Sequence, residues 1–197
     1  MDRSNVIIVS VDIRVRDSVA QRNAKNLDLF SSPSKFPAAD CVLVIGGEHI
    51  HASKAYLAIH SKVFKEMFEN KSQKEYELTE LNHFDFMELL AVIYPSYSPI
   101  TDENVENLLK LAKRFEMVSV INQCETFLKF DSDLPLGRKL VLAQSYYLID
   151  LKHACAELCL CAADVKNMGE DYALLDPDTK CLLLKSLLKA DKKPTTG

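Results

Sequence analysis

This chain of 197 residues has no tryptophan, only five glycines and seven prolines, and no excess of positive charge. Each shortage removes a class of function. Scarce glycine and proline, together with 48% hydrophobic and 26% charged residues, exclude a low-complexity chain and point to a folded, helix-rich one. A net charge of −4 provides no basic field to neutralise many phosphates, and the aromatics are lodged among apolar rather than basic residues. Nucleic acid is therefore not an expected partner. Asp12 and Arg14 interrupt the first apolar segment, and no run reaches the length of a membrane span or a secretory core. Neither membrane insertion nor export is expected, which leaves the cytosol or the nucleus.

The motifs that carry common chemistries are missing too. There is no phosphate-cradling loop, no dinucleotide-binding glycine pattern, no paired-histidine zinc motif and no nucleophile elbow. The acidic residues Glu66, Glu69, Glu75, Glu77 and Glu80 alternate with lysines as on a solvated face, so no carboxylate pair stands out as acid and base. No catalytic residue, cofactor or metal is assigned, and the chain is not expected to be an enzyme.

Cys41, Cys124, Cys155, Cys159, Cys161 and Cys181 are scattered through apolar segments with no C-x-x-C pair, which reads as reduced core thiols rather than a disulfide framework. Two clusters are candidate metal sites. His49 and His51 share a strand face with Cys41 on the neighbouring strand, and Cys155 and Cys159 share a helical face near His153. Neither has zinc-ligand spacing, and core packing is the favoured reading of both.

What is present is a clear order of elements. Val6–Val15 alternates apolar residues at period two and reads as a half-buried strand. Residues 16–39 are polar, punctuated by Ser-Ser-Pro-Ser and Phe-Pro, and carry the apolar island Leu27, Leu29 and Phe30. Cys41 to Ile45, Gly46-Gly47 and Glu48 to His51 make a β-hairpin with glycines where positive φ is needed. Ser53 is positioned to cap a helix. Residues 54–68 give two short helices broken near Ser61, bearing Tyr56, Leu57, Ile59, Val63, Phe64, Met67 and Phe68 at helical spacings.

After a polar loop at 69–75, a short strand at Tyr76–Leu78 leads to a helical stripe of Phe84, Met87, Leu90, Ala91 and Tyr94, ended by Pro95 and Pro99. Thr101 is the expected cap of the next helix, whose stripe is Val105, Leu108, Leu109 and Ala112. Val120, Ile121, Cys124, Phe127 and Leu128 follow. Beyond Asp131–Pro135 come two antiparallel helices, with Leu136, Leu140, Ala143 and Tyr147 on one and Leu151, Ala154, Cys155 and Leu158 on the other. A final stripe is Leu184, Leu187 and Leu188.

Residues 40–68, DCVLVIGGEHIHASKAYLAIHSKVFKEMF, resemble the front of a BTB (POZ) domain in the order of Asp40, strand, hairpin, helix, Ser61 and the pair Phe64 and Phe68. The resemblance continues through Leu78, Phe86, Ile93-Tyr94-Pro95, Leu108-Leu109, Arg114-Phe115 and Phe127-Leu128, and is to the BTB proteins expanded in nematodes, many of which carry a preceding MATH domain. It implies an α+β BTB/POZ fold, a small sheet flanked by helices, with an all-helical C-terminal extension. The expected organisation is an N-terminal strand and linker at 1–34 (a MATH remnant, too short for the whole domain), the BTB domain at 35–130, a BACK-like helical extension at 131–190 and a flexible tail at 191–197.

The resemblance also implies partners. One is a second copy of the chain, packed through Leu27, Leu29, Phe30, Tyr56 and Leu57. Another is cullin-3 of a ubiquitin ligase, with Phe68, Glu69, Glu75 and Tyr94 as cullin-facing surface positions; other BTB proteins are the third. One departure stands out. Cullin-binding relatives place an apolar residue two before a glutamate in the loop after Phe68, whereas Glu69-Asn70-Lys71-Ser72-Gln73-Lys74-Glu75 has none.

Overall fold

The computed structural model describes Phe30 and residues 38–70, 72–94 and 99–190. The expected strand at 6–15, Leu27, Leu29 and the tail at 191–197 lie outside the described residues. In chain order the elements begin with β1 (Cys41–Ile45), β2 (Glu48–Ala52), α1 (Lys54–His60), α2 (Lys62–Met67), β3 (Glu75–Glu77) and α3 (His83–Ile93). They continue with α4 (Val105–Arg114), α5 (Val118–Phe130), α6 (Leu136–Tyr146) and α7 (Ile149–Leu158), then α8 (Ala162–Asn167), α9 (Glu170–Leu174) and α10 (Pro177–Ala190). These residues form two compact units. One holds the described residues up to Ala55 and from Asn70 to Pro99; the other holds Tyr56–Glu69 and the described residues from Ile100 onward.

The first unit is built on a sheet of order β2-β1-β3. Gly46 and Gly47 take φ of 59° and 89°, the paired positive values of a two-residue hairpin turn whose twist matches its strands. That turn fixes the antiparallel register, with Leu43 opposite Ile50 and Val44 opposite His49. β3 runs parallel to β1 and sets Tyr76 beside Leu43. Cys41, Leu43, Ile45, Ile50, Ala52 and Tyr76 are all buried, so the alternation seen in the sequence is the alternation of the sheet faces. α3 starts on Asn82, whose side-chain oxygen accepts from the Phe84 N–H at 2.8 Å. Phe86, Leu89, Leu90 and Ile93 then point inward, but Phe84, expected on the buried stripe, is 73% exposed. The Asn82 cap places it in the first turn, ahead of the apolar face.

The second unit is helical, and its corners are made by two left-handed residues. Glu116, at φ 50°, ends α4; the Met117 N–H reaches the Ala112 carbonyl at 2.8 Å and the Glu116 N–H that of Lys113 at 3.3 Å. This pair of bonds satisfies carbonyls that the helix end leaves open. Tyr147, at φ 58°, turns α6 into α7, with the Leu148 N–H on the Ala143 carbonyl at 2.9 Å. The α4–α5 pair buries Val105, Leu108, Leu109, Ala112, Val120, Cys124 and Leu128, and the α6–α7 pair buries Leu140, Ala143, Leu151 and Cys155. A Cβ on Gly137 would lie 2.8 Å from that of Asp171, so the residue's smallness is what lets α6 and α9 approach.

Two expectations are corrected here. Thr101 does not cap α4 with its side chain: the helix begins at Val105 after Asn104, whose Oδ1 accepts from the Thr101 N–H at 2.9 Å. Asp102 accepts from the Ser132 hydroxyl and the Asp133 N–H. In α10 the buried residues are Thr179 and Leu183, while Leu184 and Leu188 of the expected stripe are 55% and 54% exposed.

Candidate interaction surface

α1 begins on a carboxylate from far back in the chain. The Lys54 N–H donates to Asp40 Oδ1 at 2.7 Å, so Asp40 fills the role expected of Ser53 and places negative charge at the helix start. Ser53 has a different bond: its backbone N–H donates to the Tyr94 hydroxyl at 3.3 Å. From this start, Leu57 turns fully inward, Tyr56 stays partly exposed and Ile59 stands 78% exposed. The Tyr56 ring lies 4.9 Å from the His60 ring, and partial burial raises the phenol above its ordinary range.

Of the residues expected at a dimer face, Tyr56 is at the surface. Leu57 and Phe30 are each 0% exposed, and Phe30 packs edge-on against Tyr94 at 4.9 Å between centroids. In the sequence Ile59 is one member of an apolar stripe. A two-residue step from Leu57 is 200° around a helix, which was the available signal that the two residues cannot share a face.

The α2 start is more deeply built. The Ser61 hydroxyl accepts from the Phe64 N–H at 3.0 Å and donates to the Phe115 carbonyl at 2.5 Å, and Ser61 is 2% exposed. Phe64 stacks on Phe115 at 4.7 Å and on Phe68 at 5.5 Å. Phe68 and Tyr94, expected as surface positions, are therefore corrected to core positions at 7% and 5% exposure. Glu69 and Glu75 are exposed.

Between those glutamates the described loop residues are held by their backbone. The Tyr76 hydroxyl lies 3.2 Å from the Asn70 carbonyl and 3.0 Å from that of Gln73. Lys54 Nζ donates to the Gln73 carbonyl and sits over the Tyr76 ring, 5.3 Å from its centroid. Asn70 Oδ1 accepts from the Ser72 N–H at 3.2 Å. These bonds engage Asn70 and Gln73, and the side chains exposed at Asn70, Ser72, Gln73 and Lys74 are all polar.

The metal candidates come apart. His49 and His51 pair across the sheet with Val44 and Val42, on the face opposite buried Cys41. Among the described residues no three ligands converge. Burial pushes the Cys41 and Cys124 thiols up to about 12 and that of Cys155 to about 11, as expected for thiols in apolar surroundings.

These strands and helices are those of a protein-interaction module. The BTB/POZ domain model matches residues 31–132, and the chain belongs to that family, with its α+β fold. It is 33% identical over 193 residues to BTB and MATH domain-containing protein 38 of Caenorhabditis elegans, covering 95% of this chain and 49% of that protein. To BTB and MATH domain-containing protein 36 of the same organism it is 34% identical over 194 residues, covering 95% and 59%. Kelch-like protein 40 of Xenopus tropicalis is 30% identical over 158 residues, covering 75% and 25%. The chain spans about half the length of the two nematode relatives. All three alignments are longer than the segment matched by the family model, so the likeness extends beyond the BTB domain.

Proposed function

We propose that the chain is a dimeric adaptor, working in the cytosol or nucleus, that links partner proteins to a cullin-3 ubiquitin ligase. The observation that carries the dimer is α1, where Ile59 stands 78% exposed one turn from the partly exposed Tyr56. Large apolar side chains presented on a short, capped helix are suited to burial against a second copy. The cullin arm rests on the family resemblance and on the exposed side chains of Glu69 and Glu75.

The loop between those glutamates favours a second reading. Its described residues offer no apolar side chain, and apolar or aromatic anchors carry much of the energy of most interfaces. A chain that pairs with itself or with other BTB proteins and does not engage cullin would regulate those proteins instead. Light scattering of the purified chain, followed by titration with the N-terminal region of cullin-3, separates the readings. A dimer that binds with submicromolar affinity, on the order of −8 kcal/mol or better, supports the adaptor. A dimer without binding supports the regulatory partner, and a monomer in which Ile59→Asp changes nothing removes both.

A further inference from the structure

The last described helix carries more leucine than its packing uses. α10 contains Leu182, Leu183, Leu184, Leu187 and Leu188, yet of these only Leu183 is buried, while Leu184 and Leu188 are 55% and 54% exposed. Cys181, also exposed, precedes Leu184 by three positions, and Leu188 follows it by four. Alternating steps of three and four are the spacing along which one helix seats against another.

Among the described residues, the charge beside this seam beyond the first turn has one sign. Lys185 and Lys189 are the exposed charged residues along it, and Asp178 is confined to the first turn. Lys180 extends over the Tyr172 ring at 5.2 Å, but Lys185 and Lys189 meet no acidic side chain among the described residues. The opposite side of α10 is occupied, because the helix packs on α7.

We infer that the Cys181–Leu184–Leu188 seam is a docking site for an amphipathic helix of a partner protein, one with leucine-like residues in its own seam and glutamate or aspartate beside them. The flanking lysines select for acidic neighbours, as charges beside a helical seam choose partner and orientation. A lipid surface fits less well. Interfacial helices bury a broad apolar face, whereas this stripe is one residue wide with lysines directly alongside. The site is independent of the dimer and cullin reading and stands or falls separately.

The test uses the full chain and a fluorescein-labelled helical peptide with leucine in its seam and glutamate beside it. A matched peptide has lysine in place of glutamate, and vesicles of phosphatidylcholine and phosphatidylserine form a third arm. The glutamate peptide is expected to bind at least about tenfold more tightly than the lysine peptide, a discrimination of the size that charge beside a seam supplies. Leu184→Asp with Leu188→Asp should weaken it by about tenfold or more, as loss of central apolar anchors does. Lys185→Glu with Lys189→Glu should reverse the preference between peptides. These positions are exposed, so circular dichroism of the variants should match the wild type. Equal binding of both peptides, binding untouched by the leucine changes, or an unreversed preference in the lysine variant overturns the proposal. So does sedimentation with vesicles in the absence of peptide binding.

Discussion

Ser61→Ala tests how much of the second unit hangs on one hydroxyl. The side chain accepts from the Phe64 N–H and donates to the Phe115 carbonyl, at a position 2% exposed. Loss of an N-cap costs about 1 kcal/mol. Loss of the hydroxyl's bond to the Phe115 carbonyl costs about 0.5–1.5 kcal/mol more. The sum, about 1.5–2.5 kcal/mol, is a sizeable share of a total stability of about 5–15 kcal/mol. In urea, with a slope of about 2 kcal/mol/M, the unfolding midpoint should fall by about 1 M with the slope unchanged.

Ser61→Asp sharpens the test. Aspartate is a good N-cap, so capping alone ranks it above alanine. Its carboxylate has no hydrogen for Phe115, however, and would face a carbonyl oxygen in a buried site, which ranks it below alanine. The assay is urea unfolding followed by circular dichroism, with Ser72→Ala, an exposed serine, as a control expected to stay within about 0.5 kcal/mol. A Ser61→Ala loss under about 0.5 kcal/mol, or Ser61→Asp at least as stable as Ser61→Ala, would refute the reasoning from the Phe115 carbonyl.

Three further outcomes are expected. Glu116→Gly should raise stability by about 0.5–1 kcal/mol in the same urea assay, because glycine takes the φ of 50° without the Cβ crowding that glutamate meets there. Acid unfolding should begin below about pH 4: the Thr179 N–H holds the Asp176 carboxyl below its ordinary range, so its contribution is present above the unfolded pKa and lost as pH falls through the folded one. Asp176→Asn, whose amide oxygen still accepts from Thr179, should flatten that acid limb, and an unchanged limb would discount the carboxyl. An aromatic disulfide reagent should modify Cys161 and Cys181 rapidly in the native chain and Cys41, Cys124, Cys155 and Cys159 only on unfolding, as read by absorbance in native buffer and in denaturant.

How much of this was legible in the sequence depends on how local each signal is. Gly46-Gly47 announced the hairpin because two consecutive positive φ values have few other solutions, and Ser61 announced the helix break because a serine before an apolar helical stripe is a local cap. Asp40 was visible as a residue of the BTB pattern but not as a helix cap, since the bond it makes is to Lys54, 14 positions on. Thr101 was misread for the complementary reason: Thr, Asp and Asn all favour caps, and which one is used depended on Asp102 being drawn to Ser132 and Asp133, 30 and 31 positions away.

Surfaces were harder to read than the core, and α1 and α10 show why. Periodicity ranks residues by how apolar they are, and interface residues are as apolar as core ones. Leu57 and Ile59 differ little by that measure, and what separates them is the rotation of the helix, which buries Leu57 and leaves Ile59 78% exposed. In α10 the ambiguity is greater, because leucines on several sides of the helix leave its phase open, and Thr179, polar by type, takes a fully buried place. A helix whose apolar residues exceed one face cannot bury them all against one neighbour. The surplus is therefore the part of the sequence that points to another molecule, and it can be read only once the packed face is known.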